Sequence, residues 1–242
     1  MKNWFANIKE SVWEWLALRK WQHGFVALQR QRENFEEKYF SDEVFYSQFK
    51  QDMFLRFLLF PDKNDGFFLD IGGNHPIKIN NTYYFEKIGW KGLAFEPLKK
   101  NNSLWEGTRT TPCLPYALGK AESELDFIEY EEDYMSGLKD KVFYEGKVKE
   151  TYKVKVRPLK DVLREYSIKD IDFISIDVEG GELEVLEGID FEETNIKCIL
   201  VENNKGDKKA RKVRSFLREN GYYLYARLWI DDVWVKNANF DK

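Results

Sequence analysis

The chain has 242 residues, 42 acidic and 38 basic side chains, a net charge of -4 and 43% hydrophobic residues. That length suits one α/β domain with an extension rather than two full domains, and the interspersed charges form no basic stripe for a phosphate backbone, which excludes nucleic acid as the expected partner. Two cysteines and two distant histidines, His23 and His75, are too few for a zinc ribbon or finger, so a metal here would rest on oxygen ligands.

In residues 1–45, Trp4, Phe5, Ile8, Val12, Trp15 and Leu16 recur at helical spacing, with Lys9, Glu10, Glu14, Arg19 and Lys20 among them. The pattern predicts an amphipathic helical extension and fits neither a signal peptide nor a membrane span. Packing on its own domain or on the twin subunit of a homodimer is the plainer expectation; a Trp-rich face on a membrane surface is the sharper one.

Residues 46–242 read as a single domain of alternating strands and helices. "GFFLDIG" (66–72) is a buried strand and a glycine turn, "NNTYYFEKIGW" (80–90) a helix capped by Asn or Thr, and "KGLAFEP" (91–97) a strand ending in an acid and a proline. A helix at "LKKNNSLWEG" and a strand at "TPCLPYALG" follow. "ELDFIEY" and "YKVKVRPL" alternate in polarity, as half-exposed strands at a sheet edge do. "LKDVLREYSI" is a helix with Leu159, Val162, Leu163 and Tyr166 on one face. "IDFISIDVEGG" and "IKCILVENN" are further buried strands, each followed by a helix, and Gly221 is the expected C-cap of the second. "YYLYARLWI" and "DDVWVK" form an antiparallel pair turning at Asp231-Asp232. Cys113 and Cys198, both in apolar strands, are expected to be buried free thiols, as in a cytoplasmic protein.

This alternation predicts a doubly wound, mostly parallel sheet with an antiparallel C-terminal edge hairpin, in which ligands bind beyond the carboxyl ends of the strands. The first turn has Ile77 where a dinucleotide fingerprint needs its third glycine, and it lacks the Lys-Ser/Thr of a P-loop. What remains is Asp70 followed by Gly72-Gly73, glycines that let a backbone approach a nucleoside. Glu96, at the end of the next strand, stands where an acid accepts two hydrogen bonds from a ribose diol. A ribose without a pyrophosphate points to S-adenosylmethionine.

"YSQFKQDMFL", "GFFLDIGGNHPIKINNTYYFEKIGWKGLAFEP", "LPYALG" and "DFISIDVEGGELEVLEG" together resemble the FkbM-type methyltransferases from about Tyr46 to Asn204. The resemblance implies a class I, Rossmann-like fold and O-methylation of hydroxyls on sugars, glycans or related small molecules. It implies that Asp70, Gly72, Gly73 and Asn74 form the first cofactor motif, that Glu96 with Pro97 takes the ribose, and that Ala117 and Leu118 border the adenine. Gln48, Gln51, Asp52, Asn81 and Thr82 then lie near the methionine end. This chain has His75-Pro76 where many members have Asp-Gly.

An alcohol is a weak nucleophile at neutral pH and needs a base or a metal. Asp177 and Glu179 are the expected bases, with His75 a third candidate, while Glu182 suits the first turn of a helix. Asp177, Glu202 and Asn203 also resemble the acids and amide of metal-dependent O-methyltransferases, which would hold Mg²⁺ or Mn²⁺. The polar insertion 131–150 stands where a lid would, and Tyr130, Tyr134, Tyr144 and Trp229 are candidates for stacking on a sugar. The competing reading is a non-catalytic, cofactor-binding adaptor acting through its N-terminal helix.

Overall fold

A computed structural model describes residues 44–142, 144–203 and 207–236; the helical extension expected at the N-terminus lies, up to residue 43, outside them. The strands are β1 (Phe67–Ile71), β2 (Lys91–Phe95), β3 (Cys113–Leu114), β4 (Ala117–Leu118), β5 (Ser123–Tyr130), β6 (Gly137–Leu138), β7 (Val148–Arg157), β8 (Asp170–Ile176), β9 (Asn195–Glu202), β10 (Tyr222–Leu228) and β11 (Asp231–Lys236). The helices are α1 (Gln51–Phe54), which runs into a π-helical turn (Leu55–Leu59), α2 (Tyr83–Lys87), α3 (Lys99–Glu106), α4 (Leu159–Glu165), α5 (Glu182–Glu187) and α6 (Asp207–Glu219).

Seven strands form one sheet in the order β10-β11-β9-β8-β1-β2-β3. β9, β8, β1, β2 and β3 are mutually parallel, and β11 pairs antiparallel with both β9 and β10. The order runs outward in opposite senses from β1 and β8. Leu69, Ile71, Ile174 and Ile176 on one face pack with Leu159, Val162 and Leu163 of α4, Val185 and Leu186 of α5, and Val213 and Leu217 of α6. Phe68 and Phe173 on the other face meet Phe85 of α2, Phe60 and Trp90, with ring centroids 4.7 to 6.3 Å apart. Burial on both faces is why these strands read as continuous apolar runs.

Four expectations change in detail. "TPCLPYALG" is two short strands on either side of Pro115-Tyr116, and β3 and β4 belong to different sheets. The alternating strands β5 and β7 do not edge the main sheet; they make a second, four-stranded sheet in the order β4-β7-β5-β6. Their wet face carries ion pairs such as Lys153 with Asp126, 2.8 Å apart. Tyr166 is exposed just beyond α4. The final hairpin turns on Trp229 and Ile230, while Asp231 and Asp232 begin β11 and are buried. Asp favours turns because its carboxylate can bond its own nearby backbone. Here Gln51 engages Asp231, while Asn203, Arg214 and Arg227 engage Asp232.

Cys113 and Cys198 are free thiols, and burial raises the pKa of both. No helix among the described residues is long and apolar enough to cross a membrane.

Candidate active site

Parallel pairing brings distant residues into one row. Ile71 is in register with Phe95 and Ile176, and Ile176 with Val201, so the next residues, Glu96, Gly72, Asp177 and Glu202, lie side by side at the carboxyl edge. Asp231 continues the row by pairing with Glu202. A cleft of about 610 Å³ opens over this edge. That is within the ordinary size range of small-molecule sites, roughly 300 to 1,000 Å³.

The loop after β1 is shaped from within. Gly72 has φ +79, and a Cβ there would collide with the carbonyl oxygen of Asp177; one on Gly73 would strike Trp105 and Asp70. The two glycines thus answer contacts inside the protein, beyond the cofactor approach expected of them. Asp70 lies on the cleft floor but is nearly wholly buried, accepting from Asn80 Nδ2 at 3.0 Å and Thr82 Oγ1 at 2.6 Å. Burial raises its pKa, opposed by Thr82, Arg109 and Asn80. Asn80 Oδ1 in turn accepts the N–H groups of Thr82 and Tyr83 at 2.9 and 2.8 Å, starting α2.

Arg109 organises the loop from the far side. Its buried guanidinium donates to Glu86 at 2.5 Å, to the Pro76 carbonyl at 3.0 Å, and to Asn80 and Thr82 at 3.2 Å each. Its carbon lies 4.4 Å from the centroid of the Trp105 ring, and the Trp105 indole donates to the Asn74 carbonyl at 2.9 Å. Arg109 and Trp105 thereby clamp both halves of the loop 72–82. No periodic pattern marks an arginine in "TRTTP", so only its partners reveal it.

Glu96 is held by two backbone donors: Asn74 N–H to Oε2 at 2.6 Å and Leu98 N–H to Oε1 at 2.7 Å. Each carboxylate oxygen has two lone pairs, so a carboxylate oriented this way suits a diol. Beside it Pro97, Leu98, Ala117 and Leu118 line the cleft, joined by Phe127 and Leu138, which face each other across β5 and β6. The second sheet therefore supplies an apolar wall that the sequence did not reveal.

At the other end of the row, carboxylate oxygens of Asp177, Glu179 and Glu202 lie within 4.8 Å of one another. Asp177 opens onto the cleft yet lies deep in the body of the protein, and its pKa is well above the usual carboxylate range. Burial is the first cause, followed by Glu202, Glu179, Asp231 and Glu182. Because water in the cleft reaches Asp177, the surrounding carboxylates are the firmer reason for the direction. Glu179 has φ +57, and Gly180 after it, φ +111, donates its N–H to Glu182 at 2.7 Å. Asn203 donates to Asp232 at 2.5 Å through its amide nitrogen, and Glu179 joins Asp177 and Glu202 in the cluster of carboxylate oxygens.

Of the other expected residues, Asn74, His75 and Asn81 line the cleft, with Asn81 donating to Ser175 at 3.0 Å. Gln51 and Thr82 brace it from behind, on Asp231 and Asp70. His75 Nδ1 accepts the N–H groups of Ile77 and Lys78, both at 3.1 Å. Burial, Lys78 and Lys100 lower its pKa. With Nδ1 accepting from the backbone, the neutral ring carries its proton on Nε2 and presents a hydrogen-bond donor there. From the insertion 131–150, Tyr134 to Leu138 form part of the cleft wall. Of the candidate stacking residues Tyr134 lines the cleft, Tyr130 is buried and donates to the Tyr144 carbonyl at 2.8 Å, and Trp229 stands exposed at the hairpin turn.

The model of the methyltransferase FkbM domain matches residues 70–224. Methyltransferase sdnD of Sordaria araneosa is 33% identical over 78 residues, which cover 28% of this chain and 30% of that protein. The crystal structure of methyltransferase FkbM from Methylobacillus flagellatus KT is similar at 15% identity and a TM-score of 0.41, over 71% of this chain and 44% of that one. The chain thus spans less than half the length of either relative.

Proposed function

This chain belongs to the FkbM methyltransferase domain family, and on that premise we propose that it is an S-adenosylmethionine-dependent O-methyltransferase with a class I, doubly wound fold, acting on a hydroxyl of a sugar, glycan or related small molecule. The observation that carries the reading is the row of Glu96, Gly72, Asp177 and Glu202 under one cleft. It places a carboxylate suited to a ribose at one end and a set of acids at the other. When bound, S-adenosylmethionine supplies an electrophilic methyl group for in-line displacement. Glu96 would hold the ribose hydroxyls, and Ala117, Leu118, Phe127 and Leu138 would enclose the adenine.

Asp177 or Glu179 then takes the acceptor's proton as its oxygen becomes an ether. A carboxylate whose pKa is raised is a better base than an ordinary one, and burial and neighbouring acids raise that of Asp177. In the alternative route the close oxygens of Asp177, Glu179 and Glu202 would instead hold Mg²⁺ or Mn²⁺, which would supply Lewis acidity at the acceptor hydroxyl.

The test is a transfer assay with methyl-labelled cofactor on a panel of free glycans, nucleotide sugars and lipids, with and without EDTA and added Mg²⁺ or Mn²⁺. Asp70→Ala should abolish cofactor binding, and Asp177→Ala should retain binding and lose turnover; the reverse pattern would overturn the assignment. Cofactor binding without turnover on any hydroxyl would leave a binding module instead.

A further inference from the structure

The hairpin from β10 to β11 turns on two residues, Trp229 and Ile230. Both favoured two-residue turns require a left-handed backbone at the first position, where Gly, Asn or Asp is usual. Trp229 adopts it, with φ +59. Its indole is 52% exposed and lies on Phe49, with ring centroids 5.2 Å apart and planes inclined by 13°. Arg227 Nε donates to the Trp229 carbonyl at 3.0 Å and holds the turn. A large apolar side chain is thus kept in an unfavourable backbone conformation and left in water. Stability alone would not select a tryptophan in this conformation, and such strain gathers at functional positions.

Neither ring lines the cleft itself, but each adjoins it along the chain. Gln48, beside Phe49, and Ile230, beside Trp229, both line it. Asp231, which faces Glu202, follows two residues after Trp229, a backbone span of about 7 Å at most. Resting on the methyl-transfer reading above, we propose that Trp229, backed by Phe49, is the platform for the ring of the methyl acceptor. The indole takes the flat apolar face of a pyranose or of an aromatic ring, and the hydroxyl to be methylated is directed toward Asp177 and Glu179. Asp177, Glu179 and Glu202 line the cleft and repel an anionic ring, so the ring carries no negative charge.

The experiment loads the full chain with S-adenosylhomocysteine and titrates it with a methyl glucoside and, separately, with catechol, following ligand signals by NMR. The wild-type protein should bind at least one of them, and which one tells whether the ring is a sugar or an aromatic. Trp229→Ala and Phe49→Ala should each weaken that binding about tenfold, the scale of a lost stacking contact, while affinity for S-adenosylhomocysteine stays unchanged. Trp229→Asn removes the platform but suits the turn, so it should keep the wild-type melting temperature and show the same loss. Ring binding that no variant alters, or no ring binding by the wild-type protein, overturns the platform. Failure of the wild-type protein to bind S-adenosylhomocysteine overturns the methyl-transfer reading, and the platform with it.

Discussion

The carbonyl oxygen of Asp177 occupies the place where a Cβ on residue 72 would stand. The ends of β1 and β8 are therefore in backbone contact, and the Asp177 N–H donates to the Ile71 carbonyl at 3.0 Å beside it. Gly72→Ala forces these strand ends apart and also places a side chain at φ +79. Overpacking and strain together should cost roughly 2 to 4 kcal/mol, read as a lower urea midpoint, with loss of cofactor affinity. A midpoint equal to wild type would show that the contact relaxes freely.

Arg109→Lys should be nearly as damaging as Arg109→Met. A lysine cannot bridge Glu86, the Pro76 carbonyl, Asn80 and Thr82 at once, nor stack as a plane on Trp105. Breaking such a buried pair costs about 3 to 5 kcal/mol. Thermal melts of the two variants against wild type would measure it, and a silent lysine variant would refute the clamp.

Glu96→Gln keeps the size of the side chain but leaves only one oxygen for the Asn74 and Leu98 N–H groups and for the ribose proposed to bind there. A hydrogen bond to a charged group contributes about 1.5 to 3 kcal/mol, so cofactor affinity should fall roughly 10- to 100-fold. Calorimetry with S-adenosylhomocysteine tests this. Unchanged affinity would move the ribose elsewhere.

Burial raises the pKa of Asp231 from 3.8 to about 6. The folded state holds the proton more tightly than the unfolded one, so the stability from this group is full below pH 3.8 and lost as pH rises through about 6. Asp231→Asn removes that loss, and an amide oxygen can still accept from Gln51. The variant should gain stability on wild type between pH 4 and 6, reaching at most ~3 kcal/mol above that window, in denaturant titrations across pH. A difference independent of pH would contradict the shift.

Legibility followed the range of the interaction. β1, β8 and β9 were readable because strands covered on both faces are apolar throughout. The alternation in β5 and β7 was equally readable, but it says only that one face is wet; which sheet the strand joins depends on a partner elsewhere. The pair Asp231-Asp232 shows the same limit. Two adjacent acids look like a turn until Gln51, 180 residues away, and Arg214 are brought to them.

The sequence by itself determined where the long central strands lie and which acids stand at their carboxyl ends, Asp70 and Asp177 above all, because local periodicity and the chemistry of strand ends are written within a few residues. The tertiary structure alone decided that Glu96, Gly72, Asp177 and Glu202 form one row, that Phe127 and Leu138 wall it, and that Arg109 clamps its loop. It also tied His75 Nδ1 to the backbone of its own loop and put Glu179 among the close carboxylate oxygens. These are contacts between side chains far apart along the chain. They depend on strand order and register, which no local pattern carries.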